Sequence, residues 1–320
     1  MNKDEKINFA VGGQALIEGV MMRAPHGYVM AVRRSTGEIV VERQAYVSIA
    51  KRIRILGVPV IRGVVNLIES LIIGVKALMF SNTIFLEGLE PTQKNKTPKP
   101  KDVPESSFKR FLKMMFMTFY FLFLLAFSLF LFKFLPLLAA NTVQRYVPAV
   151  EAHYSLFNLV DGLVKISIFL GYIVAISFLP DIQRVFGYHG AEHQSIWAYE
   201  KDKPLTVAAA QEESRFHPRC GTSFILLVFL LSVAVYTVVP PAATFWMKLV
   251  ERIALLPLIA GLSYEALKFC AKYEKTAWGH AVVQPGLWLQ RLTTRKPSDD
   301  MQEVALVALK AALEEEKMNP

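Results

Sequence analysis

MMFMTFYFLFLLAFSLFLF, residues 114–132, is the stretch that decides the fold class of this chain. It carries no charged side chain and consists mostly of phenylalanine, leucine and methionine. A helix needs about 20 mostly apolar residues to cross the hydrocarbon core of a bilayer. The stretch therefore predicts a transmembrane helix and, with it, a membrane protein.

Three further windows approach the same length and apolar character, at residues 160–179, 223–239 and 253–269. Only a short connection around Pro240 and Pro241 separates the last two, so we expect them to form an antiparallel hairpin. Together the four windows predict a mainly α-helical membrane protein with about four transmembrane helices.

Residues 57–80 form a fifth apolar window with a different charge pattern. Arg62, Glu69 and Lys76 are spaced by seven, so they fall on one face of a helix. The chain before this window carries nine Lys and Arg residues, and residues 91–113 carry seven. Because basic residues flank both sides, we expect an interfacial or re-entrant helix here rather than a span.

The distribution of basic residues predicts the orientation of the spans. Residues 133–158 contain two Lys and Arg residues and residues 240–249 contain one, whereas residues 181–221 contain five and residues 272–320 contain seven. Cytoplasmic segments of membrane proteins carry the excess of Lys and Arg. We therefore expect both termini and the 181–221 loop to lie in the cytoplasm.

The overall composition agrees with a membrane protein. Hydrophobic residues make up 53%, mean hydropathy is +0.34, and charged residues make up only 20%, against about 25% in soluble domains. These values exclude a disordered or wholly soluble chain. The net charge of +9 could suit nucleic acid or an anionic membrane surface. Because topology alone accounts for much of that charge, we expect the lipid bilayer as a partner and no DNA.

The chain outside the spans divides into recognisable segments. Residues 1–56 are predicted to form a small cytoplasmic β-rich unit, with a hairpin turn at Thr36 and Gly37. Residues 81–113 are a basic linker that precedes the four-helix region at 114–271. The tail at 272–320 ends in a capped amphipathic helix.

One dense group of chemically reactive residues falls in the 181–221 loop. His189 and His193 are four residues apart, so on a helix both imidazoles share a face and can bind one cation. Glu192 completes the H-x-x-E-H order of the inverted zinc peptidases, in which the glutamate is a general base. The pattern predicts a divalent metal site, with zinc as the expected ion and Glu192 as the catalytic residue.

A third metal ligand must come from elsewhere in the chain. His217 and Cys220 are the nearest candidates, and Glu265, near the end of the last span, is another. Two alternatives remain open, because the histidines could be hydrogen-bonded structural residues and Glu265 could pair with Lys268 or Lys272. A second charged pair, formed by Asp161 and Lys165 in the second span, suits either an ion relay or an interfacial ion pair.

Five strings carry a resemblance to a known family. They are GGQALIEGVMMR at 12–23, YHGAEH at 188–193, HPRCGT at 217–222, SYE at 263–265 and LQRLTTR at 289–295. In this order they resemble the signatures of the YqhQ-like family of bacterial integral membrane proteins, and the resemblance covers nearly the whole chain. It implies the cytoplasmic (inner) membrane of a bacterium.

The resemblance also implies two functions of different classes. The family is a domain-of-unknown-function family that is sometimes labelled a predicted metal-dependent enzyme, which is similar to the metal-dependent hydrolase that the histidine pattern suggests. Its members are often encoded beside genes for translation termination and ribosomal proteins. That association suggests the alternative of a non-catalytic membrane-protein biogenesis or scaffold factor, with the ribosome, the translocon or other membrane proteins as partners, and an oligomer is compatible with either function.

Overall fold

The computed structural model describes residues 11–89, 107–240, 242–273 and 276–318. The chain forms two compact units, each assembled from separate stretches of sequence. The first, called the sheet unit, contains Met1–Leu89, Tyr172–Val228 and Pro257–Pro320, and the second, called the helical unit, contains Glu90–Gly171 and Phe229–Leu256.

A four-stranded antiparallel meander begins the sheet unit. Its strands pair in sequence order and are β1 Gly12–Leu16, β2 Gly19–Arg23, β3 Gly27–Arg33 and β4 Ile39–Ala45. The turn between β3 and β4 contains Gly37, whose φ of +91° is a backbone conformation that glycine adopts without steric cost. The β-rich unit and its predicted hairpin turn are thus confirmed.

The remaining elements are helical. They are α1 Ile49–Arg52, α2 Ile61–Leu89, α3 Ser107–Leu129, α4 Leu135–Tyr146, α5 Pro148–Ala152, α6 Tyr154–Ile176, α7 Pro180–Glu200, α8 Val207–Gln211, α9 Gly221–Val238, α10 Phe245–Ala254, α11 Leu256–Lys272, α12 Ala277–Thr293 and α13 Asp299–Met318. A short 3₁₀ turn at Arg54–Gly57 precedes α2, and one π-helical turn at Phe130–Phe134 joins α3 to α4.

Both faces of the sheet are covered by helices. Successive side chains of a strand point to opposite faces, and here both sets are apolar. Met22 and Val29 on one face pack in a buried cluster with residues of α7 and α13, such as Leu309. Met21 and Met30 on the other face pack against α2. The predicted amphipathic C-terminal helix is therefore α13, and its apolar side covers the sheet.

Four helical segments are long and apolar enough to cross a membrane. They are Ile61–Glu87, Met114–Tyr146, Tyr154–Ile176 and Gly221–Val238. The expectation of a mainly helical protein with about four apolar helices of spanning length is confirmed, and three of the predicted windows overlap these segments along most of their length. The observed segments of spanning length differ from the predicted windows at two places, the first observed segment and the last predicted window.

The first difference concerns the window expected to be interfacial or re-entrant. It forms part of the continuous helix α2, and the segment Ile61–Glu87 has the length and composition of a span. Two of the window's three charged residues, Arg62 and Glu69, have partners that make them compatible with an apolar setting. Arg62 binds Glu265, and Glu69 accepts a hydrogen bond from the backbone N–H of Ile49 at 2.7 Å.

The second difference concerns the last predicted span. The window at 253–269 is divided between α10 and α11, which meet at an angle of 45° and reach spanning length only if the bent pair counts as one span. Pro257 lies in the first turn of α11. Proline lacks the backbone N–H and its ring clashes with the carbonyl four residues earlier, so the helix cannot continue straight through it.

Two segments expected to be irregular are partly helical. The 181–221 loop contains α7 and α8, and most of the group of reactive residues lies on α7. The predicted linker at 81–113 is shortened because α2 continues to Leu89 and α3 begins at Ser107. Residues 90–106, which carry four of the seven Lys and Arg residues of that linker, lie outside the described residues.

The helical unit contains a buried group of charged residues. Asp161 and Lys165 form an ion pair within α6, and Arg252 of α10 pairs with the same carboxylate. Lys133 donates to the hydroxyl of Tyr236 at 3.0 Å. The pairing of Asp161 with Lys165 agrees with one of the two alternatives, but both side chains are at most 1% exposed, so they do not reach toward solvent.

We predict that Leu309→Ala weakens the sheet unit. Leu309 is fully buried between α13 and the sheet, and removal of such a side chain costs about 2–5 kcal/mol of the free energy of unfolding. The neighbouring Lys310 is exposed, so Lys310→Ala serves as the matched control and should leave stability almost unchanged. Thermal unfolding of both variants in detergent checks this, and equal midpoints would contradict the packing of α13.

Candidate metal centre

Helix α7 carries the site and is buried along most of its second half. It packs against β1, β2, α8 and α13, and the residues from Phe186 to Ala198 are nearly all inaccessible to solvent. Close packing on several sides requires small residues. A Cβ at Gly190 would collide with the carbonyl oxygen of Arg295, so glycine at this position lets the chain before α13 lie directly against the helix.

Three predicted ligands converge on one point. The ligand atoms of His189, His193 and Cys220 all lie within 4.8 Å of one another. The Nε2 atom of His189 is 3.2 Å from the sulfur of Cys220, and the two imidazole rings are 4.4 Å apart between centroids. The spacing of four residues along α7 brings the rings together, and Cys220 comes from the turn immediately before α9.

Backbone carbonyls orient both imidazoles. The Nδ1 atom of His189 lies 2.8 Å from the carbonyl oxygen of Thr293, and that of His193 lies 2.7 Å from the carbonyl oxygen of Arg215. A carbonyl can only accept, so each Nδ1 carries a proton, and Nε2 is the ring atom left for a metal. Histidines that ligate metals are usually held in this way.

Glu192 lies beside the cluster in an apolar setting. Its side chain is buried, and its Oε2 atom has no hydrogen-bond partner among the described residues. Burial raises the pKa of Glu192 to about 8, an effect that nearby His189 partly offsets and Cys220 strengthens. The carboxyl group packs against Gly13 of β1, where an added Cβ would lie 2.7 Å from Oε1.

The two most buried ligand residues have pKa values shifted toward their metal-binding forms. Burial lowers the pKa of His193, which favours the neutral imidazole. Burial by itself raises the pKa of the Cys220 thiol, but hydrogen bonding with His193 and with Thr222 outweighs burial, and the net pKa lies below its usual value. A neutral imidazole and a thiolate are the forms in which these two residues would bind a cation.

His217, another predicted ligand, makes different contacts. Its ring lies 5.7 Å from that of His193 and 4.7 Å from that of Trp197, between centroids. Its Nε2 atom is 3.4 Å from a carboxylate oxygen of Glu200, and its Nδ1 accepts from the backbone N–H of Arg219 at 3.3 Å. His217 thus borders the cluster without joining the three converging ligands.

Glu265 is held by a cation on another helix. Its carboxylate forms a two-point ion pair with the guanidinium group of Arg62, at 2.7 and 2.5 Å. The contacts of Glu265 therefore match the alternative of an ion pair. Its partner is Arg62 rather than Lys268 or Lys272. Its role as a metal ligand stays a prediction that the three-residue cluster does not require.

Several supporting residues were missed at the level of sequence. The side chain of Gln290 accepts from the backbone N–H of His217 and donates to its carbonyl oxygen, both at 2.8 Å, and so fixes the turn that carries Cys220. The backbone carbonyl of Thr293 orients His189. Gly13 has no side chain, which leaves room for the carboxyl group of Glu192. Gln290, Thr293 and Gly13 all lie within the quoted family strings, which was the only signal that could have pointed to them.

The fold and this cluster define a class of protein. It is a mainly helical chain with apolar helices long enough to cross a membrane and a buried His/His/Cys cluster beside a small antiparallel sheet. Residues 58–315 match the family described as "Protein of unknown function (DUF1385)", and the chain belongs to this family.

The comparisons also confirm the YqhQ-like resemblance. The chain is 34% identical over 314 residues to "Uncharacterized protein YqhQ" of Bacillus subtilis (strain 168), an alignment that covers 98% of this chain and 95% of the relative. No solved structure matches.

We predict that Gly190→Ala destabilises the protein. The added methyl group meets the backbone carbonyl of Arg295, which cannot rotate away as a side chain could, and such overpacking costs about 1–3 kcal/mol. Gly171→Ala is the matched control, because a Cβ at Gly171 meets no atom within 4 Å and alanine favours a helix. Thermal unfolding should show a lower midpoint for the first variant alone. An unchanged midpoint for Gly190→Ala would disprove the close contact.

Proposed function

We propose that this protein is a membrane-bound, metal-dependent hydrolase whose ligands are His189, His193 and Cys220. The observation that carries the proposal is the convergence of these three ligand atoms within 4.8 Å, with a buried carboxyl group beside them. Structural zinc sites usually have four protein ligands, whereas catalytic sites have three and keep one position open. The arrangement fits the second kind.

The chemistry of the ligand set favours zinc. Two neutral imidazole nitrogens and one thiolate suit a borderline-soft divalent cation, and zinc is the common ion of this type that does not change oxidation state. A cation would also provide an electrostatic partner for the buried Oε2 atom of Glu192. Without one, no hydrogen bond among the described residues offsets the free-energy cost of burying that atom. Residue types and contacts thus fit the ion.

Glu192 has the position of a general base. It is adjacent to His193 in sequence, it is buried, and it lies close enough to His189 and Cys220 for both to affect its pKa. When bound, zinc supplies Lewis acidity that allows water to ionise near neutral pH. The positive charge of the bound ion would offset the burial that raises the pKa of Glu192, so that its carboxylate could accept the proton of the attacking water and later return it to the leaving group.

The proposed location is the cytoplasmic face of a bacterial inner membrane. Both cysteines are free and buried, and a thiolate ligand is maintained most easily in a reducing compartment. Basic residues are concentrated at 181–221 and 272–320, which favours the cytoplasmic side for these segments. Substrates would then reach the site from the cytoplasm or from the inner leaflet.

One observation favours the alternative of a non-catalytic biogenesis or scaffold factor. His193 and Cys220 are only 1% and 7% exposed, and a metal enclosed so deeply could serve to hold α7 to the turn before α9. In that case the ion would stabilise a surface for other membrane proteins, the translocon or the ribosome. The two functions agree on the metal and differ on the role of Glu192.

We predict that the purified protein binds one zinc ion per chain. His189→Ala combined with His193→Ala removes two ligands and should abolish stoichiometric binding, while Cys220→Ser should weaken it without removing bulk. His153→Ala is the matched control because His153 is exposed in the helical unit and should leave the metal in place. Elemental analysis after dialysis gives the measurement, and a parent protein without metal would refute the proposal.

The same measurement tests the remaining predicted ligands. With three ligands supplied by His189, His193 and Cys220, we expect His217→Ala and Glu265→Gln to retain zinc. Loss of the metal in either variant would show that the centre has a fourth protein ligand and would favour a structural site.

We predict that Glu192→Gln retains zinc and loses hydrolysis. The amide has nearly the shape of the carboxyl group but cannot accept the proton of water, and loss of a general base lowers rates by about 10²–10⁴-fold. Zinc-loaded parent and variant should be compared on 4-nitrophenyl acetate and 4-nitrophenyl phosphate, with zinc content measured in parallel. Equal rates for the two proteins, with zinc bound in both, would favour the scaffold function.

A further inference from the structure

A basic cavity of about 830 Å³ lies within the sheet unit. It is bordered by β1 and β2, by the segment around α1, and by α2 and α11. Five cationic side chains line it, and within the described part of the chain no Asp or Glu does so. They are Arg23, Lys51, Arg62, Arg219 and Lys268.

Three of these cations have carboxylate neighbours outside the lining. Arg62 pairs with Glu265, Arg219 pairs with Glu200, and Arg23 lies 3.9 Å from a carboxylate oxygen of Glu69. Lys51 and Lys268 are different, because neither forms an ion pair with any residue in the described ranges. The cavity therefore has a positive excess that an anion would neutralise.

Neutral polar side chains add hydrogen-bonding groups to the same walls. Ser48 donates to the side-chain oxygen of Asn66 at 3.2 Å, and the amide nitrogen of Asn66 donates to the hydroxyl of Tyr264 at 3.0 Å. Ser70 accepts from Arg23 at 3.1 Å. Ammonium and guanidinium groups combined with fixed hydroxyl and amide groups are typical partners of phosphate oxygens.

The cavity lies where two helices of spanning length begin and where α11, the second half of the bent pair, ends. Arg62 is the second residue of the segment Ile61–Glu87, Arg219 precedes the segment that starts at Gly221, and Lys268 is in the last turns of α11. Helix α2 contributes lining from Arg62 to Ile73, a length of about 16 Å at 1.5 Å per residue. Phosphate groups of lipids lie at the depth where spans end.

The cavity also adjoins the metal centre. Gly13 lines the cavity and packs against the carboxyl group of Glu192. Arg219 lines it as well and is the residue before the ligand Cys220. The backbone of Gly13, in the edge strand β1, thus lies between the cavity and the carboxyl group of Glu192.

We infer that this cavity binds the phosphate group of an anionic ligand, which would be the substrate class of the proposed hydrolase. The assignment to a substrate rests on the proposed function, whereas the binding itself depends only on the cationic lining. A phospholipid headgroup and a soluble phosphate ester share this chemistry. Lys51 and Lys268 carry the recognition because neither ammonium group is held in an ion pair by a carboxylate of the described residues.

The experiment measures binding by calorimetry to the full chain in neutral detergent. The probes are dihexanoyl phosphatidic acid, dihexanoyl phosphatidylcholine and glycerol 3-phosphate. We expect the phosphatidic acid to bind more tightly than the zwitterionic lipid, and Lys51→Gln combined with Lys268→Gln to weaken it by at least about tenfold, as for the loss of a charged hydrogen bond. Lys310→Gln, an exposed change on α13, should have no effect.

The outcomes distinguish a lipid headgroup from a soluble phosphate ester as the ligand. They also distinguish failure of the phosphate site from failure of the proposed zinc hydrolase. Comparable binding of glycerol 3-phosphate would identify a soluble phosphate ester, and binding of phosphatidic acid alone would identify a lipid. Equal affinity for both lipids, or no loss in the double Lys variant, would overturn the inference. Repeating the titration with the variant His189→Ala, His193→Ala keeps the tests apart, because phosphate binding should persist there even if the parent binds no zinc.

Discussion

The burial of α7 is the constraint on which the sheet unit depends. The helix is covered by β1, β2, α8 and α13, so its residues contact protein on nearly every side. Small residues meet backbone at the closest points, as Gly190 does at Arg295 and as Gly13 does at the carboxyl group of Glu192. Because the helix cannot shift without disturbing each contact, its two histidines are held in fixed positions.

Polar groups outside α7 fix the orientation of the His189 and His193 rings and of the turn before Cys220, and these groups carry no charge. Carbonyl groups of Thr293 and Arg215 hold the imidazoles, and Gln290 holds the turn before Cys220. These contacts come from segments far apart in the sequence. The His/His/Cys cluster therefore depends on the folding of the whole sheet unit, which agrees with family strings that extend from the first strand to the last turn of α12.

A different use of charge is found in the helical unit. Asp161 is surrounded by Lys165 and Arg252, and Lys133 donates to Tyr236 nearby. Buried ions are stable only when they are paired or hydrogen-bonded. The pairing of Asp161 with Lys165 was visible in the sequence as a spacing of four, but the arrival of Arg252 from another helix was not.

Local sequence patterns predict the helical class, most of the apolar segments, the hairpin turn at Gly37, the amphipathic character of α13 and three residues of the cluster. All of these follow from local periodicity, length or spacing, which are properties of short stretches. Contacts between distant segments place α2 as one long helix against the sheet, bring Glu265 to Arg62, and form a basic cavity that is lined by Gly13, the residue beside the carboxyl group of Glu192. Each of these contacts depends on which distant side chain neutralises a charge or fills a space. Periodicity and spacing within a short stretch of sequence do not specify that neighbour.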